Sequence, residues 1–129
     1  MDNARVGAVL LRIDGSLFYL PAVLALRLAP LPQIARVPGA PKELLGIALH
    51  GGEILPILSI GSARESLIVC TFAGARLGLV GARIVETGMF DASADGESVF
   101  HAGETASLFD VARVCAQMQT ASWGGRWGG

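Results

Sequence analysis

Ile34-Ala35-Arg36-Val37-Pro38-Gly39-Ala40-Pro41-Lys42-Glu43-Leu44-Leu45-Gly46-Ile47-Ala48-Leu49-His50-Gly51-Gly52-Glu53-Ile54-Leu55-Pro56-Ile57 is the stretch whose reading decides the fold. Pro38 and Pro41 bracket a Gly-Ala turn, since each fixes its own backbone and disfavours helix in the residue before it. Residues 44–49 make a short apolar run that stops at His50-Gly51-Gly52, and residues 53–60 make a second run that carries Pro56. Apolar runs of strand length between glycine and proline clusters read as β-strands. Pro56 has no amide hydrogen, so its strand is expected at a sheet edge or a bulge.

The same reading extends outward. Upstream, residues 6–13 and 16–20 are apolar runs on either side of Asp14-Gly15, a strong hairpin signal. Residues 21–28 read two ways, as a helical turn opened by Pro21 or as a twisted edge strand, and Pro30 and Pro32 end either one. Downstream, residues 61–65 form a short polar crossing. Residues 66–72 and 76–86 read as a hairpin about Ala73-Gly74-Ala75, with Gly78 and Gly81 marking tight curvature or close backbone approach. Residues 87–103 read as an acidic loop with one strand near Val99-Phe100. Leu108, Val111, Ala112, Cys115 and Met118 recur at a helical period, and Glu104 and Asp110 lie near the start, where the helix dipole favours acid. Residues 120–129, with Trp123 and Trp127, read as a disordered tail.

Close-spaced short strands with glycine and proline turns predict an all-β architecture with a short C-terminal helix. The polar crossing at residues 61–65 divides the strands into two small five-stranded-type β-barrels packed side by side. The first barrel is expected over residues 6–61 and the second over 66–119, within a single domain of residues 1–122.

A chain of 129 residues is enough for one domain. Hydrophobic residues make up 52% and charged residues 16%, which implies a full β-type core, apolar surface covered by a partner, or both. With a formal net charge of −1, a nucleic-acid footprint is not expected. Charge is unevenly spread: Glu86, Asp91, Asp95, Glu97, Glu104 and Asp110 run without an intervening base, while bases dominate upstream. Pro21, Pro30, Pro32 and Arg27 interrupt one apolar segment, and His50 to Glu53 with Pro56 interrupts the other. Neither reaches the roughly 20 continuous apolar residues of a membrane helix. Met1-Asp2-Asn3-Ala4-Arg5 lacks the pattern of a secretory leader, so Cys70 and Cys115 are expected reduced and buried in a cytoplasmic protein.

His50, His101, Cys70 and Cys115 are too widely spaced for a metal-ligand pattern. Cys70 lies between Val69 and Thr71, where packing is the expected role rather than nucleophilic catalysis. No phosphate-loop, dinucleotide-binding or nucleophile-elbow motif occurs. The expectation is a non-enzymatic protein without metal or cofactor.

From about Val6 to about Met118 the chain resembles the CheW-like chemotaxis adaptor family, as a divergent member. Asp14-Gly15-Ser16-Leu17-Phe18 matches the family's opening hairpin, and Pro38 and Pro41 match the turn before its central strand. Gly46-Ile47-Ala48-Leu49-His50-Gly51-Gly52 falls on its Gly-Val-x-Asn-Leu-Arg-Gly run, and Pro56-Ile57-Leu58-Ser59-Ile60 on its Pro-Val-x-Asp-Leu run. Gly78-Leu79-Val80 and Leu108-Phe109-Asp110 resemble later segments. The polar signature departs: Arg27 stands where the family has an acid, the Arg of the Asn-Leu-Arg run is missing, and Ser59 replaces an Asp.

The resemblance implies an adaptor that couples chemoreceptors to a CheA-type histidine kinase. One face would meet the kinase's regulatory domain. A groove between the barrels would meet the cytoplasmic tip of the receptor, lined by Ala22, Ala25, Arg27 and Leu28 on one side and approached by Leu45, His50 and Gly51 on the other. The lost polar positions keep a second reading open: a repurposed CheW-like module that self-associates or binds a non-kinase partner. A small hydrolase or metal protein is a third reading, and it rests only on two histidines and two cysteines.

Overall fold

Residues 4–120 are described by the computed structural model, and among them ten β-strands precede one helix. In chain order they are β1 (Arg5–Ile13), β2 (Ser16–Pro21), β3 (Ala25–Pro30), β4 (Leu44–His50), β5 (Glu53–Ser59), β6 (Ser66–Phe72), β7 (Ala75–Val80), β8 (Arg83–Ala92), β9 (Ser98–His101), β10 (Glu104–Leu108) and α1 (Val111–Thr120). The Gly/Trp tail of residues 121–129 lies outside the described residues.

The strands form two five-stranded units. One is a closed barrel in the order β1-β2-β10-β9-β8, and the other is a sheet in the order β3-β6-β7-β5-β4. The all-β fold with a short C-terminal helix is as expected. The partition of the chain is not. The barrel takes strands from both ends of the chain, and the sheet is the whole middle, so residues 61–65 are not the seam. The second unit is also an open sheet rather than a second closed barrel. Pro30 ends β3, prolines 32, 38 and 41 break up the stretch that joins it to β4, and that stretch contributes one bridge, Ala35 to Ile47. A segment that rich in proline has neither the amide hydrogens nor the backbone freedom for a full closing strand.

Three cores follow from the two-residue period of the strands. Inward residues of the barrel, including Ala8, Leu10, Leu17, Tyr19, Phe90 and Val99, make its interior. The opposite faces of β1 and β2 supply Val9, Leu11, Ile13 and Leu20 to a shared core with Ile68, Cys70, Leu77 and Leu79 of the sheet. Helix α1 seals this core with Val111 and Cys115, one helical turn apart. The far face of the sheet carries the third core, Ala48, Leu55, Ile57, Leu67, Val69 and Val80. The sheet is therefore apolar on both faces, which accounts for the apolar composition of the chain.

Other expectations are refined. Residues 21–28 resolve in favour of the edge strand, β3. The strand expected over 76–86 is two strands, β7 and β8, and the acidic loop expected over 87–103 is largely strand, since β8 runs to Ala92 and β9 spans Ser98–His101. Leu108 closes β10 instead of opening the helix; Asp110 caps α1 by accepting a hydrogen bond from the Arg113 amide at 3.0 Å. Pro56 lies in β5, which is interior to the sheet, not at its edge. Ile47 exchanges both backbone bonds with Ala35, so its pair with Pro56 is a non-hydrogen-bonded one. Pro56's nitrogen therefore faces β7, whose pairing with β5 begins only at Ile57.

The break between β7 and β8 has a local cause. A Cβ built on Gly81 would lie 2.2 Å from the backbone nitrogen of Gly61, and one built on Gly61 would lie 2.4 Å from the carbonyl oxygen of Gly81. Gly81 also has φ of +133°, a region that other residues rarely adopt. The two backbones cross here, and the chain passes from sheet to barrel. Nearby, Asp14 in the barrel's first hairpin turn accepts hydrogen bonds from Ser62 N at 3.1 Å and Ser62 Oγ at 2.5 Å. The Ser62 hydroxyl bond is the main cause that holds the Asp14 carboxyl below its usual range.

Two predictions follow from this crossing. Gly81→Ala should destabilise the fold by about 3 kcal/mol, because the obstructing atoms are backbone and cannot rotate away; urea unfolding of wild type and variant measures it. Asp14 is depressed in the folded state, so its stabilisation is complete above the unfolded carboxyl range and fades as pH falls through the folded value. Asp14→Asn should therefore be less stable than wild type near about pH 7, with the gap narrowing toward about pH 3, as read from denaturation midpoints.

Candidate functional site

The open sheet leaves two edges, β3 and β4, and the candidate residues sit on or near them. A register shift between Ala25 and Arg27 sets which way the side chains of β3 point. Ala25 pairs with Cys70 and Leu28 with Ile68, both of the shared core, so these two face the barrel side. Arg27 pairs with Val69 of the third core and faces the opposite side. Ala22 precedes β3 and donates its amide to the carbonyl of Gly7 in β1 at 2.9 Å.

The seven sequence-predicted residues thus do not line one groove. Ala22, Ala25 and Leu28 lie on the barrel side, with Leu28 39% exposed. Leu45 packs partly against the third core and borders a cavity of about 550 Å³ formed by the turn segment with Arg36, Pro38 and Lys42. Arg27, His50 and Gly51 do come together, in a cleft of about 290 Å³ completed by Val69 and Arg76.

This cleft is basic. Arg76 pairs with Glu53 at 3.2 Å, both side chains being about half exposed. Arg27 has no ion-pair partner among the described residues. Nε2 of His50 is buried and has no hydrogen-bond partner among the described residues. The other histidine, His101, lies in the barrel 3.5 Å from Glu86, on a different sheet from His50.

A second surface was missed in the sequence. The Gly51-Gly52 turn pairs His50 with Glu53, and therefore Leu49 with Ile54 one step further on. Ala48 and Leu55, the next pair, point into the third core, so Leu49 and Ile54 point outward. They are 69% and 66% exposed. With Gln33, Ile34, Ala35 and Ile47 they border a groove of about 430 Å³ along the β4 edge. By the alternation that turns Ile47 toward Ala35, Leu49's amide and carbonyl also face outward along this edge. The signal was available in the sequence: two apolar residues placed symmetrically about a two-residue turn, in the parity opposite to the core pair.

The cysteines are packing groups in the shared core. Burial, with a smaller contribution from nearby Cys115, pushes the Cys70 thiol up to about 12, and burial raises Cys115 as well. Neither carries the thiolate character of a nucleophile at neutral pH. Among the described residues no group of three His, Cys, Asp or Glu side chains could hold a metal ion. No helix among them is long and apolar enough to cross a membrane.

No protein-family model matches the chain, and no curated protein matches it. Among solved structures, the scaffolding protein TtCheW from Thermoanaerobacter tengcongensis is similar with a TM-score of 0.73 and 14% identity, over 84% of this chain and 90% of that one. The solved structure is a scaffolding protein, and the two-unit all-β fold described above is CheW-like.

Proposed function

We propose that this chain is a cytoplasmic CheW-like adaptor that couples chemoreceptors to a CheA-type histidine kinase by surface docking. The observation that carries the reading is the exposed pair Leu49 and Ile54 on an open strand edge, in a fold shared with a scaffolding protein. Two large aliphatic side chains left in water across one hairpin are unfavourable unless a partner covers them. The free backbone groups of β4 beside them add directional bonds that an apolar patch alone lacks. The kinase's regulatory domain is the partner assigned to this edge. The receptor tip is assigned to the barrel side, where Ala22, Ala25 and Leu28 lie.

A second reading has one observation in its favour. On the barrel unit Glu86, Asp91, Asp95, Glu97 and Glu104 outnumber Arg5, Arg12 and Arg83, while in the sheet unit and its connections Arg27, Arg36, Lys42, Arg64 and Arg76 outnumber Glu43, Glu53 and Glu65. An opposite net balance on two units of one molecule favours head-to-tail self-association.

Calorimetric titration of the chain with the regulatory domain of a CheA-type kinase tests the first reading. Micromolar binding is expected, weakened about tenfold or more by Ile54→Asp, since a charge would be forced into the apolar centre of the contact. A well-folded chain that binds neither kinase domain nor receptor tip overturns the adaptor reading. Concentration-dependent sedimentation of the chain alone would then favour self-association.

A further inference from the structure

From the geometry of the sheet's far side, we infer that the cleft of Arg27, His50, Gly51, Val69 and Arg76 recognises a carboxylate presented by an acidic segment of a partner protein. The site is separate from the Leu49–Ile54 groove. It rests on the adaptor reading only in that both require a protein partner.

Three features of the cleft carry the inference. First, its charge is unbalanced: two guanidinium groups line the cleft, and the one nearby carboxylate, Glu53, is held by Arg76. Arg27, an exposed residue on the edge strand, is left with no acid among the described residues. A guanidinium offers a planar fork of donors that matches a carboxylate in two parallel bonds. Second, the cleft has an apolar floor in Val69, which is 5% exposed, and an open wall at Gly51, where a Cβ would meet nothing within 4 Å. An incoming side chain can therefore reach the guanidinium groups without displacing protein atoms, and its aliphatic stem has a surface to cover. Third, the buried Nε2 of His50 lacks a partner, which costs free energy in the unbound state. His50 also lines the cleft, so a turn of the ring that brought Nε2 to the incoming carboxylate would recover that cost.

The apolar floor decides between anions. A carboxylate borne on a side chain can lay its aliphatic stem on Val69 while it meets Arg27, a surface that inorganic phosphate does not use. The edge strand limits the approach of a folded surface more than that of an extended or helical segment, which can enter along β3. The partner is therefore a protein segment that carries glutamate or aspartate next to a small apolar residue.

The test uses the full chain and a fluorescent, blocked, alanine-based peptide rich in glutamate, followed by anisotropy. Its glutamine counterpart and inorganic phosphate serve as separate arms. The glutamate peptide should bind with an affinity that falls as salt rises, the glutamine peptide should bind about tenfold or more weakly, and Arg27→Gln should remove most of that difference. Arg27→Lys should restore only part of it, because an ammonium keeps the charge without the fork. Equal binding of the two peptides, or an Arg27→Gln variant that binds as wild type does, overturns the inference. Displacement of the peptide by inorganic phosphate at matching concentrations overturns the assignment to a carboxylate. Arg27 is exposed, and unchanged far-ultraviolet circular dichroism separates loss of binding from loss of fold. Failure here leaves kinase binding through Ile54 untouched, and loss of kinase binding leaves the peptide result standing, so the two readings fail separately.

Discussion

The fold depends on one close crossing, where the backbone at Gly61 passes against the backbone at Gly81. No side chain fits between them. At this point the chain leaves the open sheet after β7 and enters the barrel at β8. Because the crossing is so close, the barrel faces of β1 and β2 lie directly on β6 and β7, and one core serves both units. The Asp14–Ser62 bonds fasten the same corner from the surface side. Widening the crossing would part the two faces of that core, so barrel and sheet are coupled in stability rather than stacked as independent modules.

That arrangement forces the remaining surface into a particular shape. The barrel closes and hides its edges, but the sheet shares one face with the barrel and must find its second core on the other. The proline-rich connection from β3 to β4 is too short of donors to close the sheet, and it leaves β4 covered at a single bridge. Open edges are normally blunted by charge or bulges. The β3 edge follows that pattern, with a register shift and Arg27. The β4 edge does not, because Leu49 and Ile54 stand exposed beside it. The contrast between a charged edge and an apolar edge on one sheet is the physical basis for the two docking surfaces proposed above.

Much of this was legible in the residues, and the failures have specific causes. Asp14-Gly15, Gly51-Gly52 and Ala73-Gly74 marked their hairpins because local turn chemistry is read directly from residue type. The division into units was misread because strand partners are long-range. Nothing near residue 83 says that β8 will pair with β1 at the other end of the chain. Residues 87–103 looked like loop because their acids face solvent on a barrel wall, where only Phe90, Ala92 and Val99 are buried. Pro56 was expected at an edge or a bulge; β5 is not an edge, but its pairing with β4 shifts register opposite Ile57 and Leu58, and the missing donor points past the end of the β7 ladder. At the site, Arg27, His50 and Gly51 were found together, whereas Ala22, Ala25 and Leu28 were assigned to the same groove because the register shift in β3 leaves no mark in the sequence.

Backbone amide hydrogen exchange of the chain, with and without a CheA-type kinase regulatory domain, tests the central claim most directly. The account predicts that binding slows exchange along β4 and the start of β5, with the Leu49 amide protected most strongly and the barrel strands unchanged. Protection confined to β8–β10, or none at saturating partner, would contradict the assignment of the open β4 edge as the adaptor's docking surface.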